Sequence, residues 1–195
     1  MPVFLDANDA DFEVAFSKLL DAKREDSPDV DHIVAEIIAD VRARGDAAVL
    51  DLTQKFDRLT LTAENLRISQ DEISEHILRV PEEERMALEF AAQRIRDYHE
   101  RQLPQNAMWR EKNGAELGWR WTAVAQAGLY VPGGLASYPS SVLMNAIPAN
   151  VAGVGRLVVT VPTPDGVINP LVLLASEISG VTEIYRIGGA QAVAA

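Results

Sequence analysis

The sequence has 195 residues, 48% of them hydrophobic and 24% charged, with no cysteine and a formal net charge of −11. That length sustains one large domain or two small ones around a buried core, and the lack of cysteine excludes disulfides, thiolate metal sites and a cysteine nucleophile. The acidic excess disfavours broad contact with nucleic acid or anionic lipid; with no secretory signal and no apolar run long enough to span a bilayer, a soluble cytoplasmic protein is expected.

The first part of the chain reads as helices. Phe12, Ala15, Phe16, Leu19 and Leu20 recur at helical spacing, and Val30, Ile33, Val34, Ile37, Ile38 and Val41 do so more regularly. Gly45 stops the second helix, and Asp46 is placed to cap a short third one running toward Phe56. Pro81 followed by Glu82, Glu83 and Glu84 predicts another start, with proline in the first helical position and acids at the positive end of the dipole. That helix should reach about Leu103 and bury Leu88, Ala91, Ile95 and Tyr98. Residues 107–124 hold Trp109, Trp119 and Trp121 around Asn113-Gly114, a tight-turn dipeptide that predicts a β-hairpin.

Charge then disappears. Beyond residue 122 the charged residues are Arg156, Asp165, Glu177, Glu183 and Arg186, net −1, which leaves −10 for residues 1–122. A boundary at 122/123 follows, dividing a helical region with a hairpin from a nearly neutral second part. In that part Ala125 to Val131, Arg156 to Val161 and Glu183 to Ile187 read as strands. Pro139 to Gly153 and Asn169 to Ser179 read as helices, and a further helix opens at Ala190. The fold class is therefore α/β: a partial Rossmann-like parallel sheet, β-α-β-α-β, with helices expected on both faces and strands buried on both sides. The chain stops at Ala195, one or two turns into an apolar helix. A doubly wound sheet normally has more than three strands, so a truncated chain is expected.

Three stretches have the composition of ligand loops. Gly128-Leu-Tyr-Val-Pro-Gly-Gly134 ends a strand at the edge where open α/β sheets bind ligands, although a plain βα turn also favours glycine. Tyr138-Pro-Ser-Ser141 opens a helix, where free N–H groups attract anions, or where Ser140 and Ser141 simply cap. Ile187-Gly-Gly-Ala-Gln191 again follows a strand; Gln191 suits a nicotinamide or ribose contact, or a helix cap. None matches G-x-G-x-x-G or the nucleoside-triphosphate loop. His32, His76 and His99 lack metal-binding partners at helical spacing and read as helix-face residues. The acidic runs from Asp21 to Asp31 and Glu82 to Glu84 read as solvated faces and helix starts.

Taken together, these blocks resemble the histidinol dehydrogenase family. The resemblance lies in Gly128-Leu-Tyr-Val-Pro-Gly-Gly134, Tyr138-Pro-Ser-Ser-Val-Leu-Met-Asn-Ala-Ile-Pro-Ala149, Val161-Pro-Thr-Pro-Asp-Gly166, Asn169-Pro-Leu-Val-Leu173 and Tyr185-Arg-Ile-Gly-Gly-Ala-Gln-Ala-Val-Ala-Ala195. Val41-Arg-Ala-Arg-Gly-Asp46 and Lys55-Phe-Asp57 extend it toward the N-terminus. It covers essentially the whole chain but only the first part of the family's longer one.

The resemblance implies oxidation of L-histidinol to L-histidine by two hydride transfers to NAD. It further implies a zinc ion that holds the substrate, and a homodimer. On that basis Tyr130 and Gln191 match the family's cofactor-contacting residues. The zinc ligands and the acid–base pair fall beyond Ala195, so the resemblance implies no catalytic and no metal-binding residue within this chain, and no turnover by it alone. Two other readings stand beside this one: a dehydrogenase of the same scaffold acting on another alcohol such as a hydroxy-sulfonate, and a non-catalytic dimerisation module.

Overall fold

The computed structural model describes residues 4–23, 28–132 and 138–195. Gly133 and Gly134 of the expected strand-end turn, and part of the Asp21 to Asp31 acidic run, lie outside the described residues.

Helices α1 (Phe12–Lys23), α2 (Pro28–Arg44), α3 (Asp46–Asp57), α4 (Gln70–Ile77) and α5 (Glu82–Glu100) come first, followed by the hairpin β1 (Ala107–Arg110) and β2 (Glu116–Trp119). Then β3 (Gln126–Tyr130), α6 (Pro139–Val151), β4 (Arg156–Thr160), α7 (Pro170–Ile178), β5 (Glu183–Tyr185) and α8 (Gly189–Ala194) alternate. The expected elements are present, with small changes at their ends. Gly45, at φ 57°, is itself the N-cap of α3, so Asp46 is already helical. Pro81 is the N-cap of α5 rather than its first helical residue.

Helix α4 was not anticipated from periodicity. Its signal is local: the Ser69 hydroxyl accepts the Glu72 N–H, and Ile73 and Ile77, four apart, are the buried pair. In the hairpin, Asn113-Gly114 does not form a two-residue turn. The Gly114 N–H bonds to the Glu111 carbonyl and Gly114 takes φ 91°, which closes a wider loop with glycine in the left-handed position.

β3, β4 and β5 form a parallel sheet in that spatial order, with Leu129, Val159 and Ile184 in register. The segment Leu66–Ile68 adds an antiparallel pairing at the outer edge of β5, through Ile68 N–H to Ile184 C=O and Arg186 N–H to Leu66 C=O, each 2.9 Å. The expectation of helices on both faces is corrected here: α6 and α7 pack side by side on one face, backed by α5 and α4. Right-handed crossovers that advance in one direction put successive helices on the same side; only a reversal of strand order moves them to the other.

The expectation of strands buried on both sides fails for the same reason. Leu157 and Val159 are fully buried, whereas Val158 and Thr160, on the opposite face, are half-buried. That open face carries Arg156, whose guanidinium bonds both oxygens of Glu183 at 2.6 and 2.9 Å and the Gln126 amide oxygen at 3.0 Å.

The main core joins α4 and α5 to α6, α7 and the sheet, through residues such as Ile73, Ala92, Leu143, Ile147, Val159 and Leu173, so it draws on both sides of residue 122. Leu88, Ala91 and Ile95 pack against it. Tyr98, expected to be buried, is 61% exposed; the half-buried residue of that turn is its neighbour His99. A second, smaller core ties α2, α3 and α8 together through Val41, Val49, Ile187 and Ala192. Further out, Val30 and Ile33 of α2, Phe16 and Leu20 of α1, and Trp109 and Trp119 of the hairpin stay exposed despite their apolar patterning.

Candidate functional site

A crevice of about 400 Å³ opens at the carboxyl end of the parallel strands, within the range of small-molecule sites. Tyr130 enters it from the last position of β3. Pro162 and Pro164 come from the loop after β4, and Gly189, Ala190 and Gln191 from the start of α8. Val34 and Ile37 of α2, with Phe56 and Asp57 of α3, close the remaining wall. The two residues singled out from the sequence, Tyr130 and Gln191, thus share one crevice. They reach it from strands that are not neighbours, since β4 stands between β3 and β5.

The Gly188-Gly189 pair makes this approach sterically feasible. A Cβ on Gly188 would lie 2.3 Å from Pro162 Cβ, so only glycine lets the β5–α8 connection pass that loop. Gly189 takes φ 65°, and a Cβ there would lie 2.6 Å from the Gln191 amide oxygen. The Gly189 N–H donates to the Tyr130 hydroxyl at 3.3 Å, linking the two walls. Gly188 is the N-cap of α8, and Gln191 sits in its first turn, 2% exposed, with its amide folded back on Gly189. Ser140 and Ser141 are not the caps of α6 either: Tyr138 is the N-cap and Pro139 the first helical residue.

Asp57 is the residue the sequence reading left without a role. It is the last residue of α3, only 8% exposed, and its Oδ2 is sealed from solvent without a hydrogen-bond partner. Burial holds its carboxyl above the ordinary carboxylate value, opposed by the charge of neighbouring Arg58. Arg58 does not neutralise it by contact, because its guanidinium forks onto Asp165 at 2.7 and 2.5 Å. A sequence signal for Asp57 existed: a carboxylate at the C-terminus of a helix sits against the negative end of the dipole and needs another reason to be there.

The histidines are scattered. His32 reaches Glu36 at 3.1 Å on an exposed face of α2, His76 Nδ1 lies 2.9 Å from the Glu72 carbonyl, and His99 meets Tyr98 edge-on. Among the described residues no three histidine, cysteine, aspartate or glutamate side chains gather as a metal site, and no helix is long and apolar enough to cross a membrane. A second cavity, about 290 Å³, lies between residues 67–70 and the beginning of β5, where Arg67 donates to the Thr182 carbonyl at 3.2 Å. It is at the amino end of the strands, the end that open α/β sheets do not use for ligands.

The family model of histidinol dehydrogenase matches residues 20–195. The chain belongs to the histidinol dehydrogenase family. It is 70% identical over its whole length to the histidinol dehydrogenase of Ruegeria pomeroyi and 68% identical to that of Cereibacter sphaeroides. The crystal structure of histidinol dehydrogenase from Elizabethkingia anophelis superposes with a TM-score of 0.81 at 32% identity, covering 87% of this chain and 39% of that one. The chain spans about 45% of the length of these curated histidinol dehydrogenases.

Proposed function

We propose that this chain is the nucleotide-binding part of an NAD-dependent histidinol dehydrogenase, whose whole reaction takes L-histidinol to L-histidine in two oxidations. Residues 123–195 form the nucleotide-binding unit, and residues 1–122 are the helical part that walls it. The observation carrying this reading is the meeting of Tyr130 and Gln191 in one crevice at the carboxyl edge of a parallel sheet.

NAD, when bound, supplies the hydride acceptor. The residues of the chain bind and orient it. The Tyr130 hydroxyl already accepts the Gly189 N–H, so its own proton remains free to donate to a ligand oxygen. Gln191 offers a donor and an acceptor from one nearly buried amide. Pro162 and Pro164 carry no N–H to satisfy and present an apolar wall beside Phe56 and Ile37, which keeps water away from a bound ring.

The described residues do not fit a zinc ion, since no cluster of suitable ligands forms among them, and no step is assigned to zinc in this chain. In this reading zinc belongs to the whole enzyme, as do the substrate, the homodimer and a cytoplasmic setting. The exposed apolar residues of α1, α2 and the hairpin suit burial against further polypeptide in such an assembly.

Calorimetric titration of the chain with NAD tests the assignment. Tyr130→Ala and Gln191→Ala are each expected to weaken binding about tenfold, or about 1.4 kcal/mol. Unchanged affinity in both variants would remove the site. Incubation of the 195-residue chain with histidinol, NAD and zinc should yield no NADH; zinc-dependent turnover would place the catalytic groups within it.

A further inference from the structure

We propose that Asp57 reads the ribose of the bound nucleotide, accepting hydrogen bonds from its 2′- and 3′-hydroxyls and turning away a 2′-phosphate. This rests on the nucleotide reading of the crevice given above. A carboxylate nine-tenths buried, with an oxygen that no donor reaches, is a costly feature for a fold to keep. An ionised carboxylate only accepts hydrogen bonds, so the missing partner must be a donor, which Oδ2 meets once the carboxyl turns it from its sealed position toward the crevice. A vicinal diol presents two donors at the spacing of one carboxylate.

The position within the fold selects the ribose. β3 and β4 are the first and second strands of the parallel unit, and Asp57 faces the crevice beside Pro162 and Pro164, directly after the second. Doubly wound sheets place a nucleotide ribose over that strand end, held by an acidic side chain. The acid that the local sequence supplies there is Asp165. It is exposed, and both of its oxygens are occupied by Arg58. The vacant acceptor on this edge therefore comes from outside the sheet unit, from the end of α3. The surrounding wall is apolar, with Val34, Ile37 and Phe56, which suits the face of a sugar or base and leaves Asp57 as the acid that sets polarity.

Selectivity follows from how the nearby cations are held: Lys55 lies over the Phe56 ring, 5.2 Å from its centroid. The nearest arginine along the chain, Arg58, is engaged by Asp165, so a 2′-phosphate would meet an uncompensated carboxylate.

The test is titration of the wild-type chain, Asp57→Asn and Tyr130→Ala with NAD and with NADP. Wild type should bind NAD at least tenfold more tightly than NADP. Asp57→Asn should lose about tenfold of the NAD affinity and bring the ratio of the two close to one. Thermal melting of Asp57→Asn, with Asp57→Ser as a second charge-free variant, separates lost recognition from lost folding. If Tyr130→Ala weakens NAD while both Asp57 variants, folded, keep the wild-type ratio, the Asp57 assignment alone is overturned. If wild type binds neither nucleotide, the nucleotide reading falls and takes this inference with it.

Discussion

The two faces of the parallel sheet share the same three strands and differ in what they do. Toward α6 and α7 they present Leu129, Val159 and Ile184, and that side is a dry core. Toward the other side they present Arg156, Glu183, Val158, Thr160, Tyr130 and Tyr185, half-buried or exposed, and the crevice lies at the carboxyl edge of this side. Stability therefore resides mainly on the first face, and the proposed binding on the second. One face is committed to packing, so substitutions there are felt as lost stability. The other keeps polar groups within reach of a ligand, and its substitutions should be felt chiefly as lost affinity.

The largest expected effect breaks the comparison if it is absent. Leu157 is fully buried and Val158 is its half-buried neighbour on the opposite face. Leu157→Ala should cost about 2–5 kcal/mol in chemical denaturation, against less than about 1 kcal/mol for Val158→Ala. Equal losses would mean that both faces are packed.

A smaller effect sharpens the picture of the open face. Arg156, followed by the Tyr185 hydroxyl, holds the Glu183 carboxyl down to about 2. A depressed value stabilises the fold above the ordinary carboxylate value and loses that contribution as pH falls through about 2. Arg156→Gln should therefore lower the melting temperature at neutral pH by about 2 °C or less, because the arginine is solvated, and the gap should close in acid. A gap that persists at pH 2 would show that packing of the Arg156 stem, not the ion pair, is what is lost.

The sign reverses for Asp57. Its value is raised in the fold by burial, so its ionised form opposes folding, and the penalty grows as pH rises through its titration. Asp57→Asn should stabilise the chain by about 0.5 kcal/mol near neutral pH and by less in acid. Loss of stability in that variant would mean that the carboxylate already has a partner in solution. Smallest of all, Tyr130→Phe removes only the acceptor for the Gly189 N–H. It should leave the melting temperature within about 1 °C of wild type, since that bond spans an open crevice.

Much of the fold was legible residue by residue. Apolar periodicity located α2 and α5, and the neutral runs Leu157–Val159 and Leu171–Leu174 located a strand and a helix of the sheet unit. Tyr130 and Gln191 could be picked out because one ends a strand and the other follows one, each within a distinctive block. Asp57 carried only the weak signal of an acid at a helix C-terminus, because its importance comes from what surrounds it: it sits far along the chain from the strand loops it accompanies. Helix α4 was missed because eight residues give too few turns for periodicity to register, although its Ser69 cap was readable.

Local pattern and contiguous motifs were enough for the family and for the order and kind of the elements apart from α4, and they singled out Tyr130 and Gln191 as candidates. Only the tertiary structure decided that both crossover helices share one face, that residues 66–68 close the edge of β5, and that the end of α3 supplies the unpaired carboxylate of the crevice. Those features depend on crossover handedness and on contacts between residues up to about a hundred positions apart, and neither leaves a trace in local spacing.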